Sequence, residues 1–242
     1  MVFRSGRYMP FSEELFELAY GSDIYFDVVF AVVFIFLFAA AIRYARISRD
    51  SKKYISLMSG FGMMALAYCF KILSHFTIYY HSAYTHQVGV YTLTHHAIQS
   101  SNVLVYFGLL AFRVLFLLGL YALYHQYASK DSVWTTWLIA VSLALIAYLS
   151  RFEFVVFHIA AAILLVFLAW RYSRIACERK SVCSKMLAGG FGVLALSQLL
   201  FIATVSVPVI YFIGEFVQVI GSVMILASYV HVILNGKKAR SH

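Results

Sequence analysis

Residues 28–42 read VVFAVVFIFLFAAAI, a run without one side chain that needs water. A chain built from such runs has few places to fold. In hydrocarbon every backbone N–H and C=O must be satisfied internally, which leaves helices or a closed barrel. Barrel strands alternate apolar and polar residues over about 10 positions, and this run does not alternate. A helix of about 20 apolar residues, rising about 1.5 Å each, matches the roughly 30 Å hydrocarbon core of a bilayer. Seven blocks of that kind are legible, near residues 24–46, 54–79, 101–126, 133–150, 153–172, 186–206 and 209–234. The expectation is an all-α polytopic membrane protein forming one seven-helix domain over residues 1–242, with lipid as its first partner.

With 63% hydrophobic and 12% charged residues, the chain carries a formal net charge of +9. That excess invites a nucleic-acid reading until the basic residues are placed. Arg43, Arg46, Arg49, Lys52 and Lys53 follow the first block, Lys130 the third, Arg171, Arg174, Arg179, Lys180 and Lys185 the fifth, and Lys237, Lys238 and Arg240 the last. Only Arg4, Arg7 and Arg151 fall on the opposite side. The positive-inside rule then expects an outer N-terminus, a cytoplasmic tail at 236–242, and no nucleic-acid partner. Residues 1–23 lack the apolar stretch of a cleavable signal peptide. They read as an outer interfacial helix, with Ser12 as N-cap and an apolar face of Phe11, Leu15, Phe16 and Leu18. Cys69, Cys177 and Cys183 provide no disulfide framework.

The segment beginning RYARI at Arg43 resembles the one beginning RYSRI at Arg171. In each, a basic loop follows and then G-F-G-x-x-A-L, at Gly60–Phe61–Gly62 and Gly190–Phe191–Gly192. An ungapped match then lays helix 3 on helix 7, with Arg113 opposite Gln218. The expected plan is a parallel 3+1+3 internal repeat: residues 24–126, a linker helix at 133–150, and residues 153–235. The first copy has an outer insertion, residues 81–102, holding His81, His86, His95 and His96. These histidines could bind zinc or copper, although their spacing matches no standard site and a solvated loop is the simpler reading.

Several polar groups fall inside the apolar blocks. Arg113 lies close to a helix midpoint, where a charge costs about 2.5–3.5 kcal/mol. Lys71 and His75 share one face of helix 2, with Asp27 and Glu215 as the expected counter-charges, and an ion pair of Arg113 with one of these acids is the matching expectation for helix 3. Glu215, Gln218 and Ser222 form one stripe on helix 7, while Asn102, Tyr106 and Arg113 form another on helix 3. Glu153, His158 and Gln198 complete the polar set. Asp27, Lys71, His75, Arg113, His158, Gln198, Glu215 and Gln218 are therefore the candidate lining of an outward-facing polar cavity for a small polar or anionic ligand, or an ion. A buried ion-pair network that fixes helix register is the structural alternative. Haem b held by His75 and His158 is a second alternative.

Seven helices, an outer N-terminus and Arg113 resemble the microbial rhodopsins. IYFIGEFVQVIGSVMILASYVHVIL, the seventh block, has no lysine on which a retinal Schiff base could form. It also lacks the H-x-x-x-H of the membrane hydrolases that include alkaline ceramidases, because Ser228 and His231 stand alone. The parallel repeat is similar to that of SWEET-type sugar transporters, whose proline hinges are missing here. FKILSHFTIYY and its surroundings resemble uncharacterised archaeal seven-helix membrane proteins over most of the chain. That resemblance implies the fold and carries no activity. The expectation is a non-enzymatic sensor, receptor or transporter, whose basic cytoplasmic loops could meet a protein partner.

Loop charge makes a topological prediction. A C-terminal tag should be shielded in intact cells and a tag inserted near Thr85 accessible; the opposite labelling would reverse the orientation.

Overall fold

The computed structural model describes residues 11–47, 51–88, 91–126, 133–150, 154–204 and 209–238, with side chains mainly over 24–46, 55–75, 104–126, 136–150, 154–204 and 209–231. Those residues form seven helices: α1 (Phe11–Ile47), α2 (Ser51–Val88), α3 (Tyr91–His125), α4 (Val133–Leu149), α5 (Phe154–Arg179), α6 (Val182–Ala203) and α7 (Val209–Lys238). Six are long and apolar enough to cross a membrane, and the chain is a multi-pass helical membrane protein. α4 departs from the expected full span. Its 17 residues reach about 25 Å, short of the hydrocarbon thickness.

Two boundaries differ from the sequence reading. α1 runs without a break from Phe11, so the expected interfacial segment continues into the first membrane helix from that residue onward. α2 continues to Val88 and α3 begins at Tyr91, so most of the insertion at 81–102 is helix rather than loop. Its polar composition looked like a solvated connection, but polarity alone does not stop a helix when no proline interrupts it.

Packing divides the bundle into two triplets. α2 lies between α1 and α3, and α6 lies between α5 and α7. The triplets meet along α1 with α7 and along α3 with α5, while α4 leans on α3 and α5. Phe30, Phe34, Leu37, Phe61, Met64, Leu117, Leu120, Leu165, Leu168 and Phe191 fill the interior. Ile35, Phe36, Leu66, Phe107, Leu138, Ile163, Leu199 and Phe216 point outward, as expected of surfaces that face lipid tails.

Lipid removes the hydrophobic drive between helices, so close backbone approach matters more than in water. One such approach occurs in each triplet. A Cβ on Gly60 would lie 3.0 Å from the Gly119 carbonyl oxygen, and one on Gly119 would lie 2.9 Å from that of Gly60. In the second triplet a Cβ on Gly190 would stand 3.1 Å from the Gly221 carbonyl and one on Gly221 would stand 3.0 Å from that of Gly190. Leu123 and Met64 close the first crossing, and Ile225 and Leu194 close the second.

The crossings make a contrast testable within one motif. Gly119→Ala and Gly221→Ala should each destabilise the protein by about 1–3 kcal/mol, because the new methyl meets backbone on the facing helix. Gly192, whose Cβ would meet nothing within 4 Å, should accept alanine with a gain of up to about 1 kcal/mol. Thermal unfolding in detergent checks this, and equal effects at all three positions would refute the close-approach account.

Candidate functional site

α2 presents Tyr68, Lys71 and His75 on one face, at the i, i+3 and i+7 spacing of a helix stripe. Asp27 approaches that stripe from α1, and Glu215 and Gln218 approach it from α7. Lys71 Nζ donates to Asp27 Oδ1 at 2.7 Å and stands 3.6 Å from Glu215 Oε1. His75 Nε2 lies 3.4 Å from Asp27 Oδ2. Asp27 is fully buried and Glu215 is 2% exposed, whereas Lys71 and His75 retain 14% and 18%. The counter-charges expected for Lys71 are therefore both in place.

The ammonium also rests against aromatic faces, 5.5 Å from the Phe112 ring centre and 5.9 Å from that of Tyr68. Tyr68 is the residue that sequence reasoning missed. It is 1% exposed and packs against Phe30 and Phe34 of α1 and Phe112 and Phe116 of α3. Its hydroxyl accepts a hydrogen bond from Gln218 Nε2, linking the two triplets one turn from the Lys71–Glu215 contact. A signal existed: Tyr68 precedes Lys71 by three residues, on the same stripe.

Phe112, Phe116 and Phe157 pack with ring centres 5.7–5.9 Å apart and form a wall behind Lys71. Beyond it lies His158, 6% exposed, with its ring 4.1 Å from Phe154, 5.0 Å from Phe157 and 5.1 Å from Phe201. His158 Nδ1 is 2.7 Å from Gln198 Oε1. A carbonyl oxygen only accepts, so Nδ1 carries the proton and Nε2 is the acceptor nitrogen. Nε2 is buried with no hydrogen-bond partner among the described residues.

Arg113 is a correction. A carboxylate partner such as Asp27 or Glu215 was expected, but its Nη1 donates to the Ser150 carbonyl at 2.8 Å and to Ser150 Oγ at 3.1 Å. Ser150 is fully buried at the end of α4. Because α4 stops short, its last carbonyls fall inside the bundle, where they need donors. A cation at a helix C-terminus is also favoured by the helix dipole. Arg113 thus caps α4 and takes no part in the carboxylate cluster.

Of the expected set, Asp27, Lys71, His75 and Glu215 come together, Gln218 adjoins them through Tyr68, and His158 with Gln198 forms a separate pair. His75 Nε2 faces Asp27, whereas His158 Nδ1 faces Gln198, so each imidazole belongs to a different polar pair. Glu153 and the side chains of His81, His86, His95 and His96 lie outside the described residues. No group of three metal-ligating side chains occurs among the described residues. No protein-family model matches the chain, and neither a curated protein nor a solved structure is significantly similar to it. The chemistry of the site therefore rests on its own geometry.

Because Arg113 is bonded to Ser150 and Glu215 meets Lys71, the two belong to different networks. Arg113→Gln should cost about 1.5–3 kcal/mol through the weakened cap. Combining it with Glu215→Gln should give effects additive to within about 0.5 kcal/mol, whereas mutual rescue in a double-mutant cycle would restore the direct ion pair.

Proposed function

We propose that this multi-pass membrane protein binds one positive charge, a proton or a small monovalent cation, at the Asp27–Lys71–His75–Glu215 cluster, and uses that ion in transport or sensing. The carrying observation is the charge count: two buried carboxylates share one ammonium. Beside them stands the His75 imidazole, 3.4 Å from Asp27 Oδ2, so ionisable groups are gathered at a depth where charge is costly to bury. An anion approaching Lys71 would meet both acids. The ion, rather than the anionic ligand, is thus the occupant that the geometry supports.

A parallel duplication supports a transporter or receptor plan, because repeats of this kind place their site where the two halves meet. The reading rests on the RYxRI and GFG motifs and on the matched glycine crossings. In the crossing register, the Phe30–Tyr68 aromatic pair of the first triplet takes the place of the His158–Gln198 pair of the second. The cluster joins the triplets through Lys71 and Glu215. With the outer N-terminus expected from loop charge, the cluster lies in the outer half and the basic loops are left for a cytoplasmic partner.

The test is thermal unfolding of the purified protein, titrated separately with protons, NaCl, LiCl and KCl at constant ionic strength. A ligand bound by the folded state raises Tm, and about 1 kcal/mol corresponds to roughly 2–4 °C in a chain of this size. At least one of these ions should raise Tm by that much in the natural sequence. The Asp27→Asn/Glu215→Gln double variant should not respond. Identical responses in both proteins would leave only a structural ion-pair network.

A further inference from the structure

Asp27 uses its two carboxylate oxygens differently. Oδ1 accepts from Lys71 Nζ at 2.7 Å, whereas Oδ2 faces His75 Nε2 at 3.4 Å. Oδ2 and Nε2 are both buried, and neither has a hydrogen-bond partner among the described residues. A fully buried carboxylate thus turns one oxygen to a ring that does not bond it.

A neutral imidazole carries one N–H and one bare nitrogen. If Nε2 is the bare one, two acceptors face each other; if Nδ1 is, the bare nitrogen lies on the far side of the ring. One added proton gives the same result from either tautomer, because both nitrogens then carry hydrogen and a cationic donor faces Oδ2. An alkali cation in that gap would find one carboxylate oxygen and one ring nitrogen, with the Lys71 ammonium on the other oxygen of the same carboxylate. A proton needs a single lone pair.

His75 is also the most accessible member of the cluster, at 18% exposure against 14% for Lys71. It follows Lys71 by one turn on α2, on the side that loop charge leads one to expect outermost. From α1 it is faced by Asp27, while α7 brings Glu215 to Lys71, with Tyr211 one turn before Glu215. On α3, residues 104–112 lie around Gly108, which abuts Ser74, and their one titratable side chain is Tyr106, 53% exposed. Arg113, next along α3, is bonded to Ser150.

Resting on the ion-binding reading above, we propose that the bound ion is a proton and that the His75 imidazole accepts it, facing Asp27 Oδ2. The proton comes from hydronium in the surrounding water. One hydronium O–H bond breaks, and one N–H bond forms on the ring nitrogen that carried none. His75 is neutral before this step and a cation after it. Asp27 then holds Lys71 through Oδ1 and His75 through Oδ2, so proton uptake adds a second ionic link between α1 and α2.

Nitrogen-15 spectra of the purified full chain with labelled histidine imidazoles, recorded from alkaline to mildly acidic buffer beside the Tm titration, read this directly. The two ring nitrogens resonate far apart in a neutral imidazole and close together in an imidazolium. The natural sequence should show one imidazole converting over the acid range that raises Tm, and His75→Gln should lose both that signal and the Tm rise. In Asp27→Asn the same conversion should need about tenfold more acid, since the carboxylate facing the ring is gone. His75→Lys guards against misfolding, because with a fixed charge beside Asp27 its Tm should no longer respond to acid. An acid-induced Tm rise that persists in His75→Lys, with the His75 ring neutral throughout in the natural sequence, would overturn the assignment to His75 and leave the ion reading intact. A Tm rise with NaCl, LiCl or KCl and none with acid would overturn the proton as the bound ion. No Tm response to any of these ions would overturn the ion reading itself.

Discussion

Helices in a bilayer gain nothing by hiding apolar surface from one another, because the lipid is equally apolar. Order in this bundle therefore depends on surfaces that can approach closely. Gly60 against Gly119 and Gly190 against Gly221 bring backbone to backbone at one point in each triplet. Everything packed around those points inherits its register from them. Met64, Leu123, Leu194 and Ile225 close over the crossings. One turn after Met64 along α2, Tyr68 enters the centre of the interior, followed by Lys71 among the carboxylates.

The second constraint is that a polar group is costly to bury at that depth. The protein offsets that cost in three different ways. Lys71 is compensated by charge, through Asp27 and Glu215. Arg113 is compensated by backbone, through the end of α4. Tyr68 and His158 are compensated by amides, Gln218 and Gln198. The aromatic wall of Phe112, Phe116 and Phe157 stands between Lys71 and His158, so their two polar networks do not merge.

Much of this was readable in the sequence, for identifiable reasons. Apolar runs fix helices because hydrocarbon offers no other way to satisfy the backbone. Lys71 pointed to Asp27 and Glu215 because buried opposite charges seek each other at matched depth. The partner of Arg113 was not readable, since hydropathy does not fix the depth at which α4 ends, and Ser150 has the look of a loop residue. Tyr68 was hidden among the tyrosines that membrane proteins place at interfaces.

α4 also shapes the membrane around it. Trp137, Leu138, Val141, Leu145, Tyr148 and Leu149 turn outward along its length of about 25 Å. The hydrocarbon core beside this face, roughly 30 Å thick, meets a shorter apolar wall, while beside α5 and α7 it meets helices of 26 and 30 residues. The bilayer adapts to such a mismatch by thinning, at a fraction of a kcal/mol per Å. The protein thus carries a thin sector on one flank, with the guanidinium of Arg113 behind it. Membranes of different thickness would press on that sector differently, making bilayer composition a variable to which this bundle is mechanically exposed.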